Sequence, residues 1–201
     1  MGTHAVLRRL RTRATGSAAP ARAVTCSKVL LALALITELA CTHRALSELD
    51  PDAIDVDVDI VPPGDAAGRS FSGRYEVRAT QVACAGACEH ETDAGAESRC
   101  RVGASSVSQV SLTHEDGALT LLVADARPDE YLGGVDASGS FDAVGEAEEN
   151  DGAVLVRNRV VGAISSDGEL AGVAVSRRVG DAEQGAVDCR LTYDLEGERV
   201  D

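Results

Sequence analysis

The chain has 201 residues, with 19 basic and 33 acidic side chains and a formal net charge of −14 at pH 7. Residues 1–40 hold six of the basic groups and one acid, so residues 41–201 carry a net charge of −19. Such a surface repels phosphate backbones and anionic lipid heads, which excludes nucleic acid as a partner. Two Phe, three Tyr and no Trp exclude a large aromatic recognition surface.

Residues 1–40 are predicted to form an export segment. Lys28 precedes the apolar run Val29–Ile36, and a cysteine follows at position 41. A membrane-spanning helix needs about 20 apolar residues, whereas the apolar part of a signal peptide needs only about 7–15. This run is therefore the right length for a cleaved signal. An arginine-rich start that lacks acids is also typical of an organellar transit peptide.

The end of this segment, Leu39-Ala40-Cys41, resembles a bacterial lipoprotein signal, although Glu38 stands where that family usually has an apolar residue. The resemblance implies that Cys41 carries a lipid and that the protein touches the membrane only through this anchor. It implies a location in the cell envelope, at the outer membrane or in the periplasm. Ordinary cleavage and secretion is the alternative.

Residues 41–70 are predicted to form an acidic linker. Asp55, Asp57 and Asp59 alternate with apolar residues, and Pro62-Pro63-Gly64 follows. Dense charge and proline favour an extended, poorly ordered segment. A calcium-binding EF-hand loop would need glycine at position 60, where isoleucine stands, so we favour a solvated linker.

Residues 71–201 are predicted to form an all-β domain. From Tyr75 onward, apolar and polar residues alternate with a period of two, which is typical of strands with one buried face. About eight strands follow one another, and four turn pairs in which glycine accepts positive φ separate several of them. These pairs are Asp116-Gly117, Ser138-Gly139, Asp151-Gly152 and Asp167-Gly168. We expect an antiparallel meander that closes into a small barrel; an open β-sandwich is the alternative.

The start of this domain, Ser72-Gly73-Arg74-Tyr75, resembles the Gly-x-Trp start of lipocalin-like (calycin) barrels, with Tyr75 in place of Trp. In that family a basic residue near the last strand packs over the aromatic ring, and the resemblance assigns this place to Arg199. It covers about six residues, and it implies a fold rather than a function.

Four cysteines remain outside the export segment and Cys41: Cys84, Cys88, Cys100 and Cys189. In an exported chain they are expected to form disulfides, and four cysteines allow three connectivities. If the barrel closes, Cys84 comes beside Cys189, which leaves Cys88 for Cys100. The alternation puts Cys84 outside and Cys189 inside, so this pairing needs a bulge near Gly86.

Two other interpretations of the sulfur-rich segment require free thiols. Cys84, Cys88, Cys100 and His90 could hold zinc, or a reduced cysteine beside His90 could act as a nucleophile. The inferred compartment argues against both, so we predict no metal and no cofactor. His114-Glu115-Asp116 is expected to be an exposed turn. Asn158, on an apolar strand face, is interpreted as a hydrogen-bonded core amide or a polar point in a cavity.

Three functional hypotheses follow. The first is a non-enzymatic envelope protein whose β-domain binds an unidentified protein or serves structurally. The second is a carrier with a small apolar ligand in the barrel interior, which requires a cavity of about 300 Å³ or more. The third is an enzyme that uses Cys84, Cys88 and His90 or dispersed acids. We favour the non-enzymatic interpretation.

Overall fold

The alternating pattern from Phe71 onward produces a barrel in the computed structural model, which describes residues 50–66, 70–92, 95–182 and 185–201. The side chains of residues 90–96 and 181–186 lie outside this description. The described strands are β1 (Gly73–Ala87), β2 (Glu89–Thr92), β3 (Gly95–Ser98), β4 (Ser105–Glu115), β5 (Ala118–Val123), β6 (Glu130–Val135), β7 (Ser140–Glu149), β8 (Val154–Ile164), β9 (Glu169–Ala182) and β10 (Gly185–Arg199). A short 3₁₀ turn covers Pro51–Ala53.

Eight of these strands close on themselves in the order β1-β10-β9-β8-β7-β6-β5-β4. Strands β4 to β10 form the meander, and β1 pairs antiparallel with both β10 and β4, so the cylinder has no free edge. This confirms the predicted closed barrel over the open sandwich. Strands β2 and β3 form a separate hairpin that the sequence pattern did not predict.

The predicted glycine turns occur where expected. Asp116 and Gly117 have φ values of 47° and 81°, as a two-residue type I′ hairpin requires. The glycines of the other three pairs, at positions 139, 152 and 168, also have positive φ. Together these turns set the order of the meander.

One end of the barrel, which we call the apolar end, is filled by the main core. Tyr75 lies at its centre with 0% of its surface exposed, and its hydroxyl donates to the carbonyl of Phe71 at 2.8 Å. Leu112, Val135 and Phe141 belong to the same cluster. Arg199 opposes Tyr75 in the register and donates to the Ser72 carbonyl. A β-carbon on Gly73 would come within 2.6 Å of the Arg199 Nε atom, so glycine leaves room for this side chain.

The other end, which we call the mouth, is bordered by the cysteines. A bulge at Val82 shifts the register between β1 and β10 and moves Cys84 to the inner face, opposite Leu191. Cys189 then opposes Gly86 rather than Cys84. The structure pairs Cys84 with Cys100 and Cys88 with Cys189, with Cα separations of 5.8 and 4.7 Å. The expected pairs Cys84–Cys189 and Cys88–Cys100 are therefore wrong, because the register places Leu191 and not Cys189 opposite Cys84.

Residues 50–66, which we call the strap, run along the outside of the barrel without forming a strand. Ile54 and Val56 are buried against Val173 and Val175 on the outer face of β9. Further along, the Gly64 amide donates to the Gly117 carbonyl at 2.9 Å. A poorly ordered linker is thus the wrong description of residues 50–66; residues 41–49 and 67–69 lie outside the described part of the chain.

Arginines on the outer barrel wall hold the acidic part of the strap. Arg177 pairs with Asp57 at 2.6 Å, and Arg157 pairs with Asp59 at 3.3 Å. The Asp55 carbonyl accepts from Arg159 at 2.6 Å. Asp57 and Asp59 therefore reach guanidinium groups with their side chains and Asp55 with its carbonyl, while the alternating Ile54 and Val56 face the wall.

Substitution of Ile54 tests how the strap is held. Ile54→Asn places an amide in an apolar contact, and we expect thermolysin to cut residues 50–61 at least about tenfold faster, since burying an isoleucine contributes about 1.5–3 kcal/mol. The cleavage rate is measured by mass spectrometry. Ile60→Asn is the matched control, because Ile60 is 79% exposed, and it should leave the rate unchanged. Equal rates for the two variants would show that Ile54 does not anchor the strap.

Candidate functional site

The inward positions of the barrel change from apolar to polar towards the mouth. The register pairs Gln81 with Tyr193 and Cys189 with Arg178, so these side chains share the inner face. The polar layer, as we call this set, consists of Gln81, Tyr131, Glu149, Asn158, Arg178 and Tyr193. It lies between the disulfides and the apolar core.

Arg178 and Glu149 form the strongest contact of the polar layer. Arg178 is only 8% exposed, and its Nη1 donates to Oε1 of Glu149 at 2.8 Å. Its Nη2 also bonds Oε2, which makes the pair bidentate. This hydrogen bond holds the pKa of Glu149 below its usual range, and the charges of Arg178, Arg99 and Arg127 lower that pKa further.

Gln81 fixes the loop that carries Arg99 over the mouth. Its side chain is 3% exposed; its Nε2 donates to the Arg99 carbonyl at 3.2 Å, and its Oε1 accepts from the Arg101 amide. The Arg99 amide donates to the Cys88 carbonyl at 2.9 Å. Burial lowers the pKa of the Arg99 guanidinium, and the neighbouring Arg178 lowers it further. Arg99 is thus held at the mouth close to a second cation.

Two tyrosines of the polar layer, Tyr131 and Tyr193, also pack with the main core. Nδ2 of Asn158 donates to the Tyr131 hydroxyl at 3.0 Å, while its Oδ1 is buried without a partner among the described residues. The prediction that Asn158 is a hydrogen-bonded core amide therefore holds for Nδ2 but, among the described residues, not for Oδ1. Burial raises the pKa of Tyr131 and of Tyr193, so both hydroxyls keep their protons at neutral pH.

A cavity of about 110 Å³ lies below the polar layer in the barrel interior. Tyr131, Val123, Val160 and Ala174 are among its lining residues. Ligand sites for drug-sized molecules measure about 300–1,000 Å³, so this cavity is below the size that the apolar-carrier hypothesis requires. At about 30 Å³ for a water-sized group, it accommodates roughly four non-hydrogen atoms.

The sulfur-rich cluster borders the mouth but has no free thiolate. Cys84, Cys88, Cys100 and Cys189 are bonded in two pairs, with Cys88 and Cys189 buried beside Leu191. Their sulfurs are therefore occupied and cannot ligate zinc or attack a substrate while the disulfides persist. His90 lies in β2, and its side chain is outside the described part. The described residues contain no group of three acidic, histidine or cysteine side chains arranged to hold a metal.

His114 lies at the opposite end of the molecule from the mouth. Its ring centroid is 5.7 Å from that of Phe71, and its amide donates to the Ser72 hydroxyl at 3.1 Å. His114 and Glu115 are the last two residues of β4, and Asp116 begins the turn. The expected exposure holds for Glu115 and Asp116, whereas His114 is half-buried against Phe71.

The comparisons with known proteins give no family for this fold. No family model matches the chain, and no curated protein is significantly similar to it. None of the helical residues among those described forms a segment long and apolar enough to span a bilayer. The site is therefore interpreted from its own geometry.

Sequence reasoning missed Arg178, Glu149, Gln81 and Arg99 as members of the site. Strand alternation does contain a signal for one of them, because Ala174, Ser176 and Arg178 share the inner face of β9. A charged residue at such a position needs a partner, and Glu149 provides it. The loop contact of Arg99 depends on Gln81 and the Val82 bulge, which no local pattern indicates.

Removing the two disulfides separately tests their roles in the barrel. In a chain-entropy description, closing the 101-residue separation of Cys88–Cys189 contributes about 4.7 kcal/mol, and the 16-residue separation of Cys84–Cys100 about 3 kcal/mol. We expect C88A/C189A to lower the urea midpoint more than C84A/C100A. Each double variant leaves no unpaired thiol of its own, so the two are matched. The reverse order would contradict this description.

The pH dependence of stability tests the Arg178–Glu149 pair. Because its folded-state pKa is lowered, Glu149 stabilises the fold fully above its ordinary pKa of about 4.3, and this contribution is lost as pH falls through the folded value. Glu149→Gln should cost about 2 kcal/mol at pH 7 and much less at pH 2.5, as measured by urea unfolding. Glu148→Gln, at the exposed neighbouring position, should cost little at either pH. A loss that does not depend on pH would rule out the ionised pair as its cause.

Proposed function

We propose that this chain is an exported protein of the cell envelope, held to the membrane by a lipid on Cys41, whose barrel is a non-enzymatic binding domain. Two disulfides in a chain of this kind support the export, because such bonds persist in oxidising compartments. Residues 1–40 and Cys41 lie outside the described residues, so the signal and the anchor rest on the sequence pattern. Secretion without a lipid is the alternative.

The observation that carries the binding role is the polar layer above an apolar cavity. Ligand sites typically combine apolar walls with a few convergent polar groups, and the mouth has both. Arg178 and Gln81 are buried, Glu149 is half-buried, and all three are hydrogen-bonded to neighbours, so the layer is held in one arrangement. The enzyme hypothesis based on Cys84, Cys88 and His90 is less well supported, because the cysteine sulfurs are bonded to each other.

The interior volume limits the size of the ligand that the apolar-carrier alternative allows. A cavity of about 110 Å³ accommodates only a small apolar group. A carrier of this kind would take a short-chain molecule rather than a drug-sized one. A protein partner, which remains part of the first hypothesis, would dock from outside the barrel.

The docked strap limits how far the barrel could lie from a lipid anchor on Cys41. Its first described residue is Asp50, and residues 42–49 lie between this residue and Cys41. Eight residues span at most about 28 Å when fully extended. A lipid on Cys41 would therefore keep the barrel close to the membrane surface instead of on a long flexible tether.

Intact mass of the protein isolated from its native cell tests the proposal. We expect loss of residues 1–40, addition of lipid at Cys41, and loss of two hydrogen atoms for each of two bridges. Cys41→Ser should abolish the added lipid mass, whereas Cys26→Ser, within the export segment, should leave it unchanged. Retention of residues 1–40 together with four reactive thiols would refute the proposal.

A further inference from the structure

Arginines converge on the mouth of an otherwise acidic chain. Arg178 extends from the inner face of β9, and Arg99 is held nearby through Cys88, whose disulfide partner Cys189 opposes Arg178 in the register. Arg127 follows β5 at the same end, and its charge also reaches Glu149. Two further guanidinium groups thus lie near enough to the Arg178–Glu149 pair for their charges to lower the pKa of Glu149.

Arg178 and Arg99 differ in how their charges are balanced. Arg178 has a bidentate partner in Glu149, but Arg99 has no ion pair among the described residues. Arg99 is half-buried, and burial together with Arg178 disfavours its charged form. A bound anion between the two guanidinium groups would offset both effects, since a nearby opposite charge favours the ionised state.

Neutral donors surround the same position. The Tyr131 oxygen accepts from Asn158, so its own proton is available to a ligand. Burial keeps the Tyr193 hydroxyl protonated, and this residue is close enough to Arg99 and Arg178 for their charges to act on it. An oxyanion at the mouth would therefore find two guanidinium groups and two hydroxyl donors, which suit a carboxylate.

The volume of the cavity below these donors limits the size of the rest of the ligand. The cavity of about 110 Å³ shares Tyr131 with the polar layer and is otherwise lined mainly by apolar side chains. It has room for roughly four non-hydrogen atoms. A short alkyl chain attached to the oxyanion would fill it.

We propose that the mouth binds a short-chain carboxylate, with its oxyanion between Arg99 and Arg178 and its alkyl tail in the cavity below Tyr131. The inference rests on the proposed binding role of the barrel mouth and assigns the ligand class. No covalent step is involved. Arg99 acts as the charge that is still available to a ligand, and Glu149 holds Arg178 in place.

Calorimetric titration of the full-length, disulfide-bonded protein with pentanoate tests this inference. We expect saturable binding below about 10 mM, a range suited to a ligand of about seven non-hydrogen atoms. The neutral analogue 1-pentanol should bind at least about tenfold more weakly, because it lacks the charge-assisted hydrogen bonds. Acetate should also bind more weakly, because it leaves the cavity empty.

Arg99→Gln and Arg101→Gln form the matched pair of variants. Arg101 lies two residues further on, its side chain is 67% exposed, and its contact with Gln81 uses only the backbone amide. Arg99→Gln should weaken pentanoate at least about tenfold and leave 1-pentanol unchanged, whereas Arg101→Gln should change neither. Thermal unfolding of each variant verifies that it is folded.

The outcomes separate this inference from the proposed function. Equal affinity for 1-pentanol and pentanoate, or equal effects of the two variants, would overturn the carboxylate site and leave the apolar carrier standing. Absence of binding by either compound would overturn the site at the mouth. Neither result bears on export and lipidation, which the intact mass tests independently.

Discussion

Strand β1 is the element on which the barrel depends, because it pairs with both ends of the meander. Its first half pairs with β4 over Gly73–Thr80, and residues 75–87 pair with β10. Without β1, the outer edges of β4 and β10 would be open to other chains. Closure also brings Tyr75 beside Leu112 and encloses the apolar end, so a core with few aromatic residues becomes sealed from water. The same closure creates the mouth, since the inward positions of an open sheet would face solvent.

The bulge at Val82 sets what the mouth contains. Before it, Gln81 is inward by simple alternation; after it, the phase is reversed and Cys84 is inward as well. The side chains of Gln81 and Cys84 therefore both point to the interior near the end of β1. Cys88 then reaches Cys189, and the chain returns so that Arg99 lies over the mouth. The extra residue Val82 thus affects both the disulfide pairing and the position of Arg99.

The contrast between the predictable fold and the unpredicted site has a physical basis. Strand alternation and the turn glycines, such as Gly117, are local signals, and they were sufficient for eight strands, their order and closure. The cysteine pairing depended on a bulge that moves every later residue of β1 by one position, and no local pattern specifies it. The strap was misjudged because charge density alone describes solubility; here Asp57 and Asp59 meet arginines that lie about 100 residues away in sequence. Polar groups that converge from different strands, such as Glu149 and Arg178, become visible only once the register is known.

Two groups of arginines in this acidic chain have different roles. On the outer wall, Arg157, Arg159 and Arg177 each have carboxylate partners on the barrel, and the strap supplies further oxygens to the same guanidinium groups. Their charge is thereby neutralised within the molecule. At the mouth, the Glu149 carboxylate holds Arg178, and the charges of Arg99 and Arg127 also lower its pKa. A half-buried guanidinium group without a carboxylate partner costs stability. The chain has a surplus of acidic residues, yet none of those described forms an ion pair with Arg99. Arg99, which has no ion pair among the described residues, is therefore the charge that the proposed anion would meet.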